Sequence, residues 1–175
     1  MALQSKTITG NGSRRHHKFT LTVTENSKND SANTSSISFN FKISPIQSGW
    51  GWNTQGTNIS YTVTINGTNY TGTIPNYNGS STVTLKSGTL NVAHSAAGTK
   101  TMNFSFKVTD RDGLNYTCGS ASASGSMTLT PTTGQGIVYI DNGSGWDAYQ
   151  VYIDNGSSWD RYIPYIDNGS SWDQY

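Results

Sequence analysis

The chain has 175 residues, of which 12% are charged and 11% aromatic, and its formal net charge at pH 7 is +1. Disordered chains usually combine high net charge with few aromatic residues, so this composition indicates a folded protein. Cys118 is the single cysteine, which excludes an internal disulfide, and no apolar run approaches the roughly 20 residues of a membrane-spanning helix. Nothing after Met1 resembles a signal peptide.

Apolar and polar residues alternate along much of the chain, which is the pattern of strands with one buried face. The alternating apolar positions are Phe19, Leu21 and Val23, then Ile37, Phe39, Phe41 and Ile43, then Ile59, Tyr61, Val63 and Ile65, and later Met102, Phe104, Phe106 and Val108. Residues 83–85 and 90–92 predict two further short strands. About eight strands with regular turn signals predict an all-β fold, an Ig-like antiparallel β-sandwich over residues 1–131.

Three positions in this pattern have specific expectations. Asn66-Gly67 supplies the positive φ angles of a tight hairpin turn. Gly72 lies on the inward face of the following strand, where a glycine marks a bulge or a close approach of backbone. Cys118 alternates with apolar residues, so we expect a buried thiol rather than a reactive one.

A linker is predicted over residues 132–137, and residues 138–175 then repeat with a period of 13, from Tyr139 to Tyr152 to Tyr165. Each copy contains Asn-Gly, the strongest short-range hairpin signal, so three tandem short β-hairpins are predicted. Centring each turn on Asn-Gly pairs Tyr139 with Trp146, Tyr152 with Trp159, and Tyr165 with Trp172. An isolated hairpin is marginally stable, so these hairpins must pack on one another, on the sandwich or on neighbouring chains.

The charges divide unevenly between the two parts of the chain. Residues 1–131 carry ten Lys or Arg and four acids, a formal +6, whereas residues 132–175 carry Arg161 against six Asp, a formal −5. Such asymmetry can dock one part of an assembly on another. It is too dispersed to predict a nucleic-acid site.

Residues 90–101 read Leu-Asn-Val-Ala-His-Ser-Ala-Ala-Gly-Thr-Lys-Thr. This segment resembles the V-x-H-N-A-D-G-T-K-T motif of a domain family found in siphovirus minor structural proteins. Residues 13–21, the Asn66-Gly67 hairpin and residues 119–130 agree with the same family, so the resemblance spans about residues 5–131. Ser95 stands where the family has Asn and Ala97 where it has Asp, which leaves the turn intact but weakens any site built on that Asp. The C-terminal copies are similar to the Y-I-x-D-G-S-x-W repeats that end many phage tail proteins.

Aromatic residues are the candidate contact residues. They are Trp50 and Trp52 in a Gly-rich loop, and Tyr139, Trp146, Tyr152, Trp159, Tyr165 and Trp172 in the repeats. If these rings are exposed on a loop or hairpin, they can stack on a glycan. In the alternative interpretation, one of the two loop tryptophans closes the end of the sandwich, and the aromatic residues of the repeats form a shared core or a subunit interface. For the repeats we favour the core or interface, because marginal hairpins need something to bury.

The remaining motifs favour ordinary structural roles. The basic run at residues 14–18 favours a solvated strand entrance over an anion contact. Asp110-x-Asp112-Gly113 favours a hairpin turn, because an EF-hand calcium loop needs more oxygen ligands and a Glu at its end. Glu25 is the only Glu, and neither a G-x-S-x-G element nor a carboxylate pair is present. We therefore expect no catalytic residue, no cofactor and no metal.

These observations lead to an expected function. The resemblance implies a bacteriophage virion structural protein, a tail or surface-fibre component made in the host cytoplasm and extracellular after release. Its expected partners are other virion proteins and further copies of itself, and host-surface glycan is a further candidate. Neither nucleic acid nor a membrane is an expected partner. The alternative is a carbohydrate-binding module that recognises host-surface or environmental glycans through exposed Trp and Tyr side chains.

Overall fold

The computed structural model describes residues 2–14, 16–46, 59–74, 81–111, 118–132, 137–141, 143–154, 156–162, 165–167 and 172–174. The first eight strands are β1 (Ser5–Asn11), β2 (His17–Asn29), β3 (Thr34–Pro45), β4 (Ile59–Ile65), β5 (Thr68–Thr73), β6 (Val83–Ala93), β7 (Thr101–Asp110) and β8 (Ala121–Thr128). Five shorter strands follow: β9 (Ile137–Asp141), β10 (Trp146–Asp154), β11 (Trp159–Tyr162), β12 (Tyr165–Asp167) and β13 (Trp172–Gln174). We call β1–β8, together with residues 129–132, the body, and residues 137–175 the arm.

The body contains two four-stranded antiparallel sheets, with strand orders β1-β2-β3-β6 in the first sheet and β5-β4-β7-β8 in the second. The predicted all-β antiparallel sandwich is confirmed. The connectivity differs from that of immunoglobulin domains. Here β2 and β3 form a hairpin within the first sheet, whereas in immunoglobulin domains the second and third strands belong to opposite sheets. None of the described residues forms a helix long and apolar enough to cross a membrane.

Aromatic side chains from both sheets meet in the core. Phe41 of the first sheet contacts Phe106 of the second at a centroid distance of 5.0 Å and Tyr61 at 5.4 Å, and it stacks on Phe19 at 6.0 Å. Phe19 and Phe41 are completely buried. Every alternating apolar position predicted from the sequence is buried, because strand residues two apart face the same side.

Strand β6 corrects one prediction, since it is a single strand rather than two short ones. Phe41 pairs with Lys86 and Lys42 with Thr84, so Leu85 is an extra residue in a β-bulge. Val83 and Leu85 are odd-numbered, whereas Leu90 and Val92 are even-numbered, and the bulge lets both pairs face the core. The apolar positions change from odd-numbered to even-numbered residues at the bulge. For this reason the sequence pattern resembles that of two separate strands.

The specific expectations for the body can also be compared with the structure. Asn66 and Gly67 have φ angles of 47° and 84°, and Ile65 pairs with Thr68, which gives the predicted two-residue hairpin loop. Gly72 is closely approached by the ring of Tyr61, whose hydroxyl donates to the Leu85 carbonyl at 2.9 Å. Cys118 is buried; burial, and secondarily the charge of Asp110, raises the pKa of its thiol to about 12.

The arm is built from hairpins that share a strand. The first half of β10 pairs with β9 and its second half with β11, while β12 and β13 form a separate two-stranded sheet. Among the described strands, those of the arm pair only with each other. The described part of the arm thus contains one three-stranded sheet and one two-stranded sheet.

Candidate functional site

The hairpins of the arm have a different register from the one predicted. Tyr152 pairs with Arg161, and Trp159 pairs with Asp154 rather than with Tyr152. The other two hairpins show the same register: Tyr139 pairs with Ala148 and Trp146 with Asp141, while Tyr165 pairs with Gln174 and Trp172 with Asp167. The predicted Tyr–Trp pairs were therefore wrong by two residues in every copy.

The turn-flanking aspartate explains this shift. Asp154 Oδ1 accepts a hydrogen bond from the Gly156 N–H at 2.8 Å, so the turn begins at Asp154 and four loop residues precede Trp159. Asp side chains that bond the backbone two residues ahead are a common way to start a turn. In the body, Ile65 precedes Asn66-Gly67 and has no such acceptor, so that loop keeps two residues. A shift of two residues keeps side chains on the same face, and Tyr152 and Trp159 become diagonal neighbours.

The middle hairpin exposes its large side chains on both faces. The exposed fraction is 69% for Trp159 and 48% for Tyr152 on one face. Ile153 and Tyr162 lie on the opposite face and are 49% and 45% exposed. A two-stranded hairpin that leaves such groups in water gains little stability from their burial.

The other predicted contact residues can be placed less fully. Trp50 and Trp52 lie outside the described residues, as does the Asp112-Gly113 end of the calcium-loop motif. For Tyr139, Trp146, Tyr165 and Trp172 the structure gives the backbone register described above. Within the described part of the chain, no three His, Cys, Asp or Glu side chains converge as metal ligands.

A buried polar cluster, which the sequence analysis missed, lies where the chain leaves the body. Glu25 continues the inward face of β2 after Val23 and is only 1% exposed. Its carboxylate accepts hydrogen bonds from Ser35 Oγ at 2.7 Å, Thr130 Oγ1 at 2.7 Å, the Thr130 N–H at 3.0 Å and the Gln4 N–H at 3.2 Å. Burial alone raises the pKa of Glu25, but the hydrogen bonds from Thr130, Ser35 and Gln4 outweigh burial and lower it below the usual 4.5.

His94 completes this cluster from β6. Its Nδ1 lies 2.9 Å from the Gly98 carbonyl oxygen, which can only accept, so Nδ1 carries a proton. Its Nε2 lies 2.8 Å from Ser35 Oγ. The Ser35 hydroxyl donates to the Glu25 carboxylate at 2.7 Å, so Ser35 lies between that carboxylate and the His94 ring.

The same three residue types occur in serine hydrolases, but this geometry differs from theirs. A nucleophilic serine donates its proton to the histidine of the triad, whereas here the Ser35 hydroxyl donates to Glu25 Oε1. Ser35 is also completely buried, so a substrate has no access to its hydroxyl. The cluster is a structural bridge between β2, β3 and β6.

The cluster also fastens the chain segment that leads to the arm. The Thr132 N–H donates to the Gly98 carbonyl at 2.9 Å, and its hydroxyl donates to Asn33 Oδ1. Asn33 has a φ of 52° and its Nδ2 donates to the Ser95 carbonyl at 2.8 Å. We call Glu25, Asn33, Ser35, His94, Thr130 and Thr132 the arm root.

The segment that carries the siphovirus resemblance forms the turn beside the arm root. The Ser95 N–H donates to the Thr99 carbonyl at 2.9 Å, and Ser95 Oγ accepts from the Thr99 N–H at 3.2 Å. Gly98 has a φ of 75°, a conformation that favours glycine. Ser95 therefore holds the turn at the position where the family has Asn, and His94 and Gly98 have structural roles in it.

Comparison of the chain with protein-family models, with curated proteins and with solved structures finds no match.

Proposed function

We propose that this protein is a structural component of a bacteriophage virion, in the tail or a surface fibre, whose arm mediates assembly or host-surface attachment. The body supplies a rigid sandwich, and the arm supplies the contact surface. The resemblance of residues 90–101 to the siphovirus family and the tail-type repeats support the virion context.

The observation that carries the proposal is the exposure of Trp159 and Tyr152 on one face of the middle hairpin. In the body, the aromatic rings of Phe19, Phe41 and Phe106 are buried between the sheets. Aromatic residues are enriched at protein interfaces because they bury much area at small entropic cost. An arm with uncovered aromatic groups on a well-packed body is the arrangement expected of an assembly or attachment element.

The test compares the full chain with a Tyr152→Ser/Trp159→Ser variant and with a chain truncated after Gly136, which retains the arm root. Size-exclusion chromatography with light scattering measures the particle mass of each. We expect the full chain to associate and both altered chains to be monomeric. Equal, monomeric masses for all three would contradict assembly through the arm.

Carbohydrate binding is the second candidate, and the 69% exposure of Trp159 favours it. An exposed indole ring can stack on a sugar, and Tyr152 lies diagonally beside Trp159 on the same face. Binding of the full chain to a glycan array, lost in Trp159→Ala, would support this candidate. A blank array together with Trp fluorescence that iodide does not quench would exclude it.

A further inference from the structure

The middle hairpin of the arm carries large side chains on two unlike faces. Tyr152 and Trp159 are diagonal neighbours on one face, which we call the ring face. On the opposite face Val151 pairs with Tyr162, so Ile153 and Tyr162 are diagonal neighbours there, and we call this the mixed face. Because the side chains that define both faces are exposed, the hairpin offers two apolar surfaces rather than one.

Exposed apolar surface is concentrated on this hairpin. In the described part of the chain six large hydrophobic side chains are exposed, and four of them define the ring face and the mixed face. The other two are Leu3, which precedes β1 near the arm root, and Ile46, which follows β3 at the opposite end of the body. Single exposed side chains are common on protein surfaces, whereas a group of them marks a contact site. The described surface of a second copy that best matches the hairpin is therefore another middle hairpin, since apolar surface is buried most favourably against apolar surface.

The area of each face determines how many contacts one copy needs. An aromatic side chain can bury about 150–250 Å², so the exposed fractions leave on the order of 250 Å² of side-chain surface on each face. Two faces in contact would bury about 500 Å², whereas a specific interface needs about 1,000 Å². A copy that uses both of its faces makes two such contacts and reaches that area.

The shapes of the two faces favour contact between unlike faces. The ring face projects the two rings of Tyr152 and Trp159, whereas the mixed face combines one ring with the shorter, β-branched Ile153. Facing layers pack densely when large side chains lie opposite smaller ones, and two ring faces would place large against large. A pair of ring faces would also leave Ile153 and Tyr162 in water. Contact between a ring face and a mixed face covers all four side chains once every copy has two neighbours.

We propose that copies of this protein associate through their middle hairpins, with the ring face of one copy on the mixed face of the next. This inference rests on the proposed function, because it names the partner of the arm. A contact between unlike surfaces of identical chains is heterologous, and the series closes into a ring when the rotation between copies allows it. Facing β-layers pack about 10 Å apart, so each hairpin supplies its neighbour with the second layer that the two sheets of the body supply to each other.

The test removes one face at a time in the full chain and measures the particle mass by light scattering. Tyr152→Thr/Trp159→Thr removes the ring face, and Ile153→Thr/Tyr162→Thr removes the mixed face. Threonine keeps a high strand propensity, so the hairpin itself is retained. Each double change should weaken association at least about thirtyfold, which is the loss that one hot-spot residue causes.

A matched control makes the same kind of change outside the arm. Leu3→Thr/Ile46→Thr replaces the two exposed side chains near the ends of the body and should associate like the unaltered chain. Amide hydrogen exchange in β10 and β11 verifies that the middle hairpin is present in every variant. Loss of association then reports on the altered face and not on the fold of the arm.

Mixing the two double variants separates contact between unlike faces from contact between like faces. The ring-face variant keeps an intact mixed face, and the mixed-face variant keeps an intact ring face. Together they should form a one-to-one pair and nothing larger, because each chain has one usable face. Native mass spectrometry identifies this pair, since the two variants differ in mass. The pair has one contact per copy instead of two, so it should require a higher protein concentration than assembly of the unaltered chain.

The outcomes separate this inference from the proposed function. A mixed-face variant that still associates, or two variants that do not pair when mixed, would overturn the inference and leave the proposed function standing. A fourfold variant that lacks both faces but still joins the unaltered chain would show that the arm docks on the body, which would also overturn the inference. Association that is unaffected by every change to the arm would contradict the proposed function itself.

Discussion

The body and the arm use the same local element, an antiparallel hairpin, but they differ in what covers it. In the body, the second sheet covers the first, and Phe41 is completely buried against Phe106 and Tyr61. In the arm, no described strand covers the middle hairpin, and Trp159 is 69% exposed. Backbone pairing is thus sufficient to define a hairpin, whereas burial of its aromatic side chains requires a second layer. Under the proposed function, a partner supplies that layer to the arm.

The largest difference in stability is expected between removal of an aromatic ring from the body and removal of one from the arm. Phe41→Ala should lower the free energy of unfolding by about 3–5 kcal/mol, because it deletes a buried ring and leaves a cavity between the sheets. Trp159→Ala should change it by less than about 0.5 kcal/mol, because an exposed ring contributes little to the folded chain. Urea unfolding followed by circular dichroism, at a concentration where the chain is monomeric, measures both. A loss of stability in Trp159→Ala as large as in Phe41→Ala would show that the arm packs on the body.

The next effect concerns the buried carboxylate at the arm root. Glu25→Gln replaces an acceptor of four hydrogen bonds by a group that carries two donors, which should cost about 3 kcal/mol at neutral pH. The matched control is Asp30→Asn, which removes an exposed ion pair with Lys28 and should cost less than about 1 kcal/mol.

The pH dependence of stability tests the same residue. The folded-state pKa of Glu25 lies below its usual 4.5, so its stabilising contribution is present above that value and is lost as pH falls through the folded-state pKa. Acid titration of the unfolding midpoint should therefore be steeper in the unaltered chain than in Glu25→Gln. Identical acid profiles for the two chains would show that the hydrogen bonds do not stabilise the carboxylate.

A smaller effect is expected at Gly72, which has no counterpart in the described arm. A Cβ atom at this position would lie 2.3 Å from Tyr61 Oη and 2.5 Å from its Cζ. The Tyr61 hydroxyl is held by its hydrogen bond to the Leu85 carbonyl, so the ring can move only by giving up that bond. Gly72→Ala should cost about 1–3 kcal/mol, as overpacked cores do. Pairing it with Tyr61→Phe, which frees the ring, should reduce the cost; an unchanged cost would point to the backbone instead.

The sequence predicts the body better than the arm for physical reasons. Alternation identified Phe39, Phe41 and their neighbours because the residues of a buried strand face recur at every second position, which is visible in the sequence. The bulge at Leu85 left a weaker signal, a change of parity between Leu85 and Leu90. The register of the middle hairpin depends on the hydrogen bond from the Gly156 N–H to Asp154, and centring the turn on Asn-Gly did not allow for the longer loop that this bond starts.

The arm root could be predicted only in part. Glu25 has a clear signal, since a carboxylate at the fourth position of an apolar series, after Phe19, Leu21 and Val23, requires buried donors. Its partners Ser35 and His94 meet it through the strand order β2-β3-β6, which local patterns do not specify. The exposure of Trp159 likewise depends on what covers it, and no pattern within the repeat determines that.

The smallest effect compares two turns that need the same backbone conformation. Gly67 in the body and Gly156 in the arm have φ angles of 84° and 83°, and a Cβ atom at either position would meet no atom within 4 Å. Alanine at each position therefore introduces only the strain of the left-handed conformation, about 1 kcal/mol. In Gly67→Ala this strain should lower the unfolding free energy of the whole body, because β4 and β5 belong to its cooperative core. In Gly156→Ala it should increase amide hydrogen exchange in β10 and β11 and leave the unfolding midpoint of the body unchanged. Equal shifts of that midpoint in both variants would mean that body and arm unfold as one unit, and the arm would then owe its order to its own chain rather than to a partner.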